Sequence, residues 1–168
     1  MSEIFRRRVL TAGTLLMLAM FVATLAAVTF TVNSILDQPD DLTIPGTCHT
    51  AAGTCTLRAA VMQANNSSVA VTITVPPGAY TLTIKPQGAN GDSRGDLNLT
   101  TPASGNPVIT IIGAGAATTI IDANQLDRVV HVHSDRTASI SGVTLRNGFV
   151  PPGAAPADEG GGFLTKVC

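Results

Sequence analysis

Four short runs of β-prone residues dominate the second half of the chain. They start at residues 108, 118, 128 and 138 and read VITII, TTIID, RVVHV and ASISGVTL. Strand-sized runs at a fixed period, separated by Gly, Asn and Asp, are typical of the stacked coils of a parallel β-solenoid. We therefore expect alternate runs to pair, VITII with RVVHV and TTIID with ASISGVTL. An antiparallel sandwich is the alternative, since it also places strands about every 8–12 residues.

The turn residues favour the solenoid over the sandwich. Antiparallel hairpins prefer tight two-residue turns such as Asn-Gly. Only Asn90-Gly91 and Asn147-Gly148 occur, and neither lies between two neighbouring runs of the repeat. Aromatic residues make up only 4% of the chain. The core must therefore be aliphatic, and small aliphatic side chains stack well between like positions of successive coils. The predicted fold class is all-β, a parallel solenoid of about three coils.

One amphipathic helix is predicted before these strands, over residues 56–66, with Thr56 as its N-cap. Leu57, Ala60, Val61 and Ala64 have the spacing of a single apolar stripe. Because a solenoid exposes core and unpaired strand edges at its ends, terminal caps are needed. We expect the helix to cap the first coil, through Thr56, Leu57, Arg58, Val61 and Ala64.

The N-terminus has the pattern of an export signal. Arg6–Arg8 precede twenty residues without a charge, residues 9–28, with small residues near the end. This pattern predicts a secretory signal peptide over residues 1–27. An uncleaved membrane anchor over residues 9–28 is the alternative, because about 20 apolar residues can span a bilayer. Either reading exports the remainder, so we expect a secreted or cell-surface protein.

Two further regions follow this segment in the predicted organisation. Residues 28–68 would hold an opening strand, an acidic loop, a cysteine loop and the helix, and residues 69–168 the coils. Cys48 and Cys55 enclose only six residues, and disulfides persist in exported proteins. We expect these two to form a structural disulfide, with free thiols and a metal site as the alternatives. Cys168 is left over, which suggests a missing partner or a mobile thiol.

The helix region resembles a known sequence motif. Residues 55–60 read CTLRAA and are followed by Gln63-Ala64-Asn65. This resembles the Cys-Ser-Leu-Arg-Glu-Ala motif, often followed by Ala-Asn, which marks the start of exported bacterial β-helix proteins of the CSLREA-motif, pectate-lyase-like group. Ala59 replaces the glutamate of that motif. Further elements of the group are similar to residues 77–82, 95–97, 111–115, 119–121 and 140–145.

The resemblance implies a right-handed parallel β-helix. Gly160–Phe163 looks like the opening of a further coil, yet the sequence stops five residues later. The chain therefore resembles the N-terminal portion of a longer, many-coiled relative, and we expect its β-helix to be incomplete at the C-terminus. Relatives with this fold include polysaccharide lyases and hydrolases as well as adhesins, so the fold alone does not give the function.

Three polar clusters are candidate binding or catalytic sites. The acidic loop with Asp37, Asp40 and Asp41 could bind calcium. A second cluster, in residues 92–96, contains Asp92, Arg94 and Asp96, and its carboxylate pair could bind calcium or act on a sugar. A third could serve as a metal or acid–base group and contains His131 and His133 with Asp122, Asp127 and Asp135. We favour the structural interpretation of each, namely solvated turns and exposed histidines.

The expected function is therefore a non-catalytic one. Arg128 and Arg146 are the cations that a polysaccharide lyase would need, but nothing in the sequence shows that they converge. The expected role is an exported structural, adhesive or binding module, with a polysaccharide or cell-surface ligand as partner. A net charge of −1 gives no field to attract nucleic acid. No catalytic residue, cofactor or metal ligand is assigned. A carbohydrate-active enzyme whose site lies in missing coils is the alternative.

Overall fold

The computed structural model describes residues 27–87, 91–100, 105–133 and 136–149. In this part of the chain the fold consists mostly of short strands in parallel sheets, with one short helix. The elements in chain order are β1 (Val28–Thr31), α1 (Leu57–Asn65), β2 (Val71–Val75), β3 (Gly78–Thr81), β4 (Leu97–Leu99), β5 (Ile109–Gly113), β6 (Thr119–Asp122), β7 (Val130–Val132), β8 (Ala138–Ser141) and β9 (Thr144–Arg146).

The strands form three sheets, in the orders β1-β2-β5-β8, β3-β6-β9 and β4-β7. Every pairing between these strands is parallel. After α1 the chain visits the three sheets in turn, first through β2, β3 and β4 and then through β5, β6 and β7. The antiparallel sandwich is therefore wrong for the described residues.

The expected pairing of alternate runs is wrong in part. Ile109 of the VITII run pairs with Ala138, and Val130 of the RVVHV run pairs with Leu97. The TTIID run does pair with the ASISGVTL run, but only through the C-terminal part, where Ile120 pairs with Thr144. The physical reason is that the chain passes through all three sheets before it returns to the same one. A strand therefore pairs with the third strand after it, not with the second.

A glycine corner also divides the last run, which the sequence presented as one strand. Gly142 separates β8 from β9 and has a φ of +65°, in the left-handed region that favours glycine. Gly113 ends β5 directly beside it. A Cβ on Gly113 would lie 2.1 Å from the Gly142 carbonyl oxygen. The two corners therefore approach so closely that neither has room for a side chain.

Alternating side chains build an aliphatic core between the sheets. In β2 the odd-numbered residues are buried and the residues between them are half-buried. Ile73 lies in register with Ile111, and Ile111 with Ile140. Like side chains therefore stack from strand to strand, as the composition predicted. The fully buried aliphatic side chains include Val32, Val71, Ile73, Val75, Leu97, Leu99, Ile109, Ile111 and Ile121.

The helix α1 is buried on every side, not on one stripe alone. Thr56 is its N-cap and accepts a hydrogen bond from the Ala59 N–H at 3.1 Å. All nine residues from Leu57 to Asn65 are buried. The helix packs against β4 and β2. The apolar stripe supplies part of that contact, and the polar side chains of the helix make the rest.

The side chain of Asn65 completes the edge of β4. Its Nδ2 donates to the Asn98 carbonyl oxygen at 2.8 Å, and its Oδ1 accepts from the Thr100 N–H at 3.1 Å. A residue of a neighbouring parallel strand would use the same two groups, one on each side of Leu99. β4 is the outer strand of the β4-β7 sheet. The end of α1 therefore takes the place of a strand at this edge.

The Sγ atoms of Cys48 and Cys55 lie 1.96 Å apart, at disulfide distance. The pair closes the loop that leads into α1. Cys168 and the predicted further coil at Gly160–Phe163 lie outside the described residues. The segment at residues 9–28 also lies outside them, apart from Ala27 and Val28. Within the described residues, no helix has both the length and the apolar character needed to cross a membrane.

Candidate functional site

Arg58 is a buried charge at the centre of the N-terminal end of the fold. Its Nε lies 2.6 Å from Oδ1 of Asp37, and its Nη2 lies 3.2 Å from Oδ2 of the same carboxylate. The remaining donors reach backbone carbonyls of the loop before β4. Nη2 donates to Gly95 at 2.7 Å, and Nη1 donates to Asp96 at 3.1 Å and to Asp92 at 3.4 Å. Arg58 therefore joins the acidic loop to the loop before β4.

The carboxylate of Asp37 also holds the chain after β3. Its Oδ2 accepts from the Thr83 N–H at 2.6 Å and from the Ile84 N–H at 3.0 Å. All the hydrogen bonds of this carboxylate therefore serve to connect segments of the chain. The structure thus separates Asp37 from the other two aspartates with which it was grouped as a candidate cation site.

Asp40 and Asp41 meet His49 instead. Ligand atoms of these three residues lie within 4.8 Å of one another. The Asp40 carboxylate, which is buried, accepts from Nε2 of Gln63 at 2.8 Å and from the His49 N–H at 2.9 Å. Calcium prefers about 6–8 oxygen ligands. Two carboxylates already committed to hydrogen bonds, with one imidazole, suit that ion poorly.

Asp41 is the exposed member of this group. Its Oδ1 lies 2.9 Å from Nδ1 of His49 and accepts from the backbone N–H of Thr43 at 3.0 Å. The backbone hydrogen bond from Thr43 is the largest influence on this carboxyl, and together with the Thr43 hydroxyl and His49 it lowers the pKa of Asp41. The ionised form is thus favoured within the loop, which is what a turn-forming aspartate needs.

A second polar group lies where the β4-β7 sheet meets the loop before β4. We call it the β4-β7 polar cluster; it contains Asp96, Asn98, Asp127, Arg128, His131 and His133. It combines residues from two clusters that were separate in the sequence analysis, the one in residues 92–96 and the one with His131 and His133. It also contains Asn98, which the sequence did not indicate as a site residue.

Hydrogen bonds link the members of the β4-β7 polar cluster in a row. Nε of Arg128 donates to Oδ2 of Asp96 at 2.8 Å, and Nδ2 of Asn98 donates to Oδ1 of Asp96 at 2.7 Å. Oδ1 of Asn98 lies 3.0 Å from Nδ1 of His131. The rings of His131 and His133 have centroids 4.4 Å apart. Both histidines are half-buried, so they are less exposed than the sequence predicted.

The electrostatics of Asp96 differ from those of an ordinary surface aspartate. Burial is the largest influence and, together with the nearby charge of Asp127, raises the pKa of Asp96 above its ordinary value of 3.8. The charges of Arg128 and Arg58 act in the opposite direction without cancelling that effect. A carboxyl whose proton is held more tightly than usual can act as an acid or a base near neutral pH only if the shift is large.

The other candidate residues lie apart from this cluster. Asp122 is bound by the turn after β9, where Nε of Arg146 lies 2.8 Å from its Oδ2 and Nδ2 of Asn147 lies 3.0 Å from each of its oxygens. Asp92 accepts from Nδ2 of Asn65 at 3.2 Å, and Arg94 is exposed. Asp135 lies outside the described residues. Arg128 and Arg146 therefore pair with different aspartates: Arg128, before β7, pairs with Asp96, and Arg146, on β9, pairs with Asp122.

A cavity of about 520 Å³ opens beside β1. Inward-facing side chains of β1 form one wall, the loop with Leu42 and Pro45 forms another, and the end of α1 forms the third. The lining residues are Val28, Phe30, Leu42, Pro45, Gly46, Gln63, Asn66, Ser67 and Ser68. The lining is largely apolar and carries no charged side chain.

Sequence reasoning missed the polar side chains that hold this end together. Gln63 and Asn65 were part of the motif resemblance, but the sequence did not indicate their partners, and it did not indicate a role for Arg136. The Arg136 guanidinium is buried, and its Nη2 donates to the Ala64 carbonyl at 3.1 Å, at the C-terminal end of α1. A cation suits the negative end of a helix. The sequence could not indicate that Arg136 contacts α1, because 72 residues separate it from Ala64.

Comparisons with known proteins do not assign the chain to a family. No family model matches the chain, and neither a curated protein nor a solved structure shows significant similarity to it.

Proposed function

We propose that this chain belongs to an exported right-handed parallel β-helix protein of the CSLREA-motif group. The parallel sheets that the chain visits in a fixed order support this fold. The Cys48–Cys55 pair supports export, because disulfides persist in oxidising compartments. We propose a secreted or cell-surface location and a structural or binding role, with a polysaccharide or cell-surface ligand as partner.

The observation that carries the proposed role is that three arginines form ion pairs with aspartates within the fold. Arg58 binds Asp37, Arg128 binds Asp96, and Arg146 binds Asp122. Each pair joins segments distant in sequence, and the Arg58 pair fixes the loops around α1. Such pairs rigidify a scaffold and fix the loops that it presents, which is what an adhesive or binding module requires.

Glycan binding by the full chain tests this role. The chain, produced with its N-terminal segment in an export-competent bacterium, should be accessible to protease on intact cells. The purified protein should retain particular glycans from an array of neutral and acidic polysaccharides. An Arg58→Met variant should lose binding together with its folded loops, whereas Arg94→Met, at an exposed position, should bind as the wild type does. Retention of no glycan would contradict the binding role.

A carbohydrate-active enzyme is the second candidate, and the β4-β7 polar cluster favours it. Asp96 and Asp127 are two carboxyl groups close enough to raise the pKa of one of them, and His131 stands beside them through Asn98. Paired carboxyls are the usual groups of glycoside hydrolysis. Incubation with acidic polysaccharides, with calcium or with a chelator, separates the two candidates. Cleavage that disappears in Asp127→Asn but persists in Asp41→Asn would favour the enzyme.

A further inference from the structure

Four large aliphatic side chains are exposed in the ten-residue stretch 35–44, which follows β1. They are Ile35, Leu36, Leu42 and Ile44, each with between 49% and 59% of its surface accessible. We call this group the aliphatic loop. Single exposed aliphatic residues are common on protein surfaces, but a concentration of them marks a contact with a partner or a membrane.

The aliphatic loop lies at the end of the fold where the chain enters it. Leu42 and Val28 line the same cavity beside β1. Ile35 packs at Gly78 of β3, since a Cβ on that glycine would lie 3.3 Å from Cγ2 of Ile35. β1 and β3 are the outermost strands of their sheets at this end. Leu42 thus lies beside the N-terminal residue of β1, and Ile35 lies beside the start of β3.

This end of the fold carries little accessible charge. Residues 27–56 contain no Lys, Arg or Glu. Asp37 is neutralised by Arg58 out of contact with solvent, with side-chain exposures of 2% and 0%. Asp40 is buried and hydrogen-bonded. Asp41 alone of the three aspartates is exposed, and it faces His49. An aliphatic surface with so few charges fits the apolar boundary of a lipid bilayer and would be poorly suited to an anionic partner.

The chain that precedes Val28 supplies the reason to choose a membrane as the partner. Residues 9–28 contain no charged residue and follow Arg6–Arg8. A segment of this length can span a bilayer if it is retained. Because β1 follows this segment directly, a retained segment would bring the start of β1, with Leu42 beside it, to the membrane surface.

We propose that the aliphatic loop rests in the interfacial region of the bilayer, with residues 9–28 retained as the anchor. The N-terminal end of the fold then lies on the membrane, and the coils extend away from it. This proposal goes beyond the proposed export and selects the anchor over the cleaved signal peptide. The same surface would otherwise be covered by a second copy of the chain.

The absence of tryptophan from the sequence makes a site-specific test direct. Leu42→Trp and Ile44→Trp each place a single fluorophore in the aliphatic loop. Ile112→Trp is the matched control, because Ile112 is a similarly exposed aliphatic residue, on β5, the third strand of its sheet. Each full-length variant is reconstituted into phosphatidylcholine vesicles with and without brominated lipid. Having two loop variants keeps the test valid if one of them fails to fold.

We expect Trp at positions 42 and 44 to be quenched by brominated lipid at least about twofold more strongly than Trp at 112, because interfacial side chains enter the acyl boundary. Equal quenching at the three positions would overturn the proposal. Emission at position 42 that depends on protein concentration but not on brominated lipid would also overturn it, in favour of a second copy.

Two further measurements separate this proposal from the proposed function. Mass spectrometry of the chain recovered from cells reports whether residues 9–28 are retained; a chain released after about residue 27 would overturn the membrane contact and leave export intact. Conversely, a chain inaccessible to external protease, yet quenched at position 42, would contradict export and support the membrane contact.

Discussion

Arg58 and Asp37 form a bidentate ion pair, with Nε–Oδ1 and Nη2–Oδ2 distances of 2.6 and 3.2 Å. Neither side chain has appreciable solvent contact. The pair connects the first residue of the acidic loop to the second residue of α1, and through Arg58 to the loop before β4. A charge buried in this way is stable only while its partner is present, because water cannot replace the lost contact. The N-terminal end of the fold therefore depends on one pair of charges.

Replacement of Asp37 by Asn should strongly destabilise the protein. The substitution leaves the Arg58 guanidinium buried without a counter-charge, and breaking such a pair costs about 3–5 kcal/mol. Denaturant unfolding followed by circular dichroism measures the change in the free energy of unfolding. Asp41→Asn is the matched control in the same loop; its side chain is exposed, so its unfolding midpoint should stay close to that of the wild type. A small effect of Asp37→Asn would show that the pair is solvated in solution.

Replacement of Asn65 by Ala should expose the edge of β4. The Asn98 carbonyl and the Thr100 N–H would lose their partner while buried against α1, at a cost of about 2–3 kcal/mol. Asn66→Ala is the control, since Asn66 is exposed and its side chain donates to the Met62 carbonyl within the helix end. Amide hydrogen exchange should show faster exchange at Thr100 in the Asn65 variant alone. Unchanged protection of that amide would mean that another group pairs with β4.

Replacement of Gly142 by Ala should disrupt the corner between β8 and β9. The left-handed φ disfavours any side chain, and a Cβ there would lie 2.3 Å from the Gly113 carbonyl oxygen. Strain and overpacking together should cost roughly 3 kcal/mol. Gly91→Ala is the control, because the nearest atom to its added Cβ lies 4.0 Å away. Thermal unfolding of both variants checks the difference, and similar midpoints would contradict the close approach of the two corners.

The Asp96 carboxyl should titrate above its ordinary value of 3.8, because burial and the charge of Asp127 disfavour ionisation. A raised folded-state pKa means that the native state binds more protons than the unfolded state between the two pKa values. The contribution of Asp96 to stability is thus largest below 3.8 and declines as the pH rises through the folded-state pKa. Carboxyl ¹³C NMR titration measures this midpoint directly.

Asp127→Asn should lower the Asp96 midpoint, since it removes the like charge. Asp122 provides the opposite case in the same titration. Burial opposes its ionisation, but the N–H of Asn124 and the side chains of Asn147 and Arg146 outweigh that effect and lower the pKa of Asp122. An Asp96 midpoint that does not respond to Asp127→Asn would show that the two carboxyls are screened from each other.

Removal of the Cys48–Cys55 disulfide should lower stability by about 2.5 kcal/mol. The loop closed by the bond is short, so the entropy that it removes from the unfolded chain is moderate. Cys48→Ser/Cys55→Ser compared with Cys168→Ser, in unfolding experiments without reductant, measures this difference. The double variant should become insensitive to dithiothreitol, whereas Cys168→Ser should lose stability when reductant is added. Equal stability of the wild type and both variants in oxidising buffer would contradict a structural disulfide.

Local structure was accessible from the sequence where it depends on neighbouring residues. The alternation in β2 set which side chains face inward, and Thr56 with the apolar residues of α1 set where the helix begins and which face carries aliphatic groups. These features follow from strand and helix periodicity, which any segment carries within itself. The aliphatic character of the core followed from the near absence of aromatic residues.

Contacts between segments distant in sequence could not be predicted from the sequence. The ten-residue spacing did not reveal that the paired strand lies three strands further along the chain, so that Ile109 pairs with Ala138 and not with the RVVHV run. Among the described residues, the hydrogen-bond partners of the Arg58, Asn65 and Arg136 side chains are at least 21 residues away in sequence. Nothing in the spacing of such residues distinguishes a buried partner from a solvated one.

The sequence by itself determined which segments extend, which one coils into a helix and which side chains avoid water. The tertiary structure alone decided which strands stack and which charges meet. Strand and helix periodicity is a property of neighbouring residues, whereas register and charge pairing depend on how corners such as Gly142 turn the chain and on which buried polar groups must find a partner.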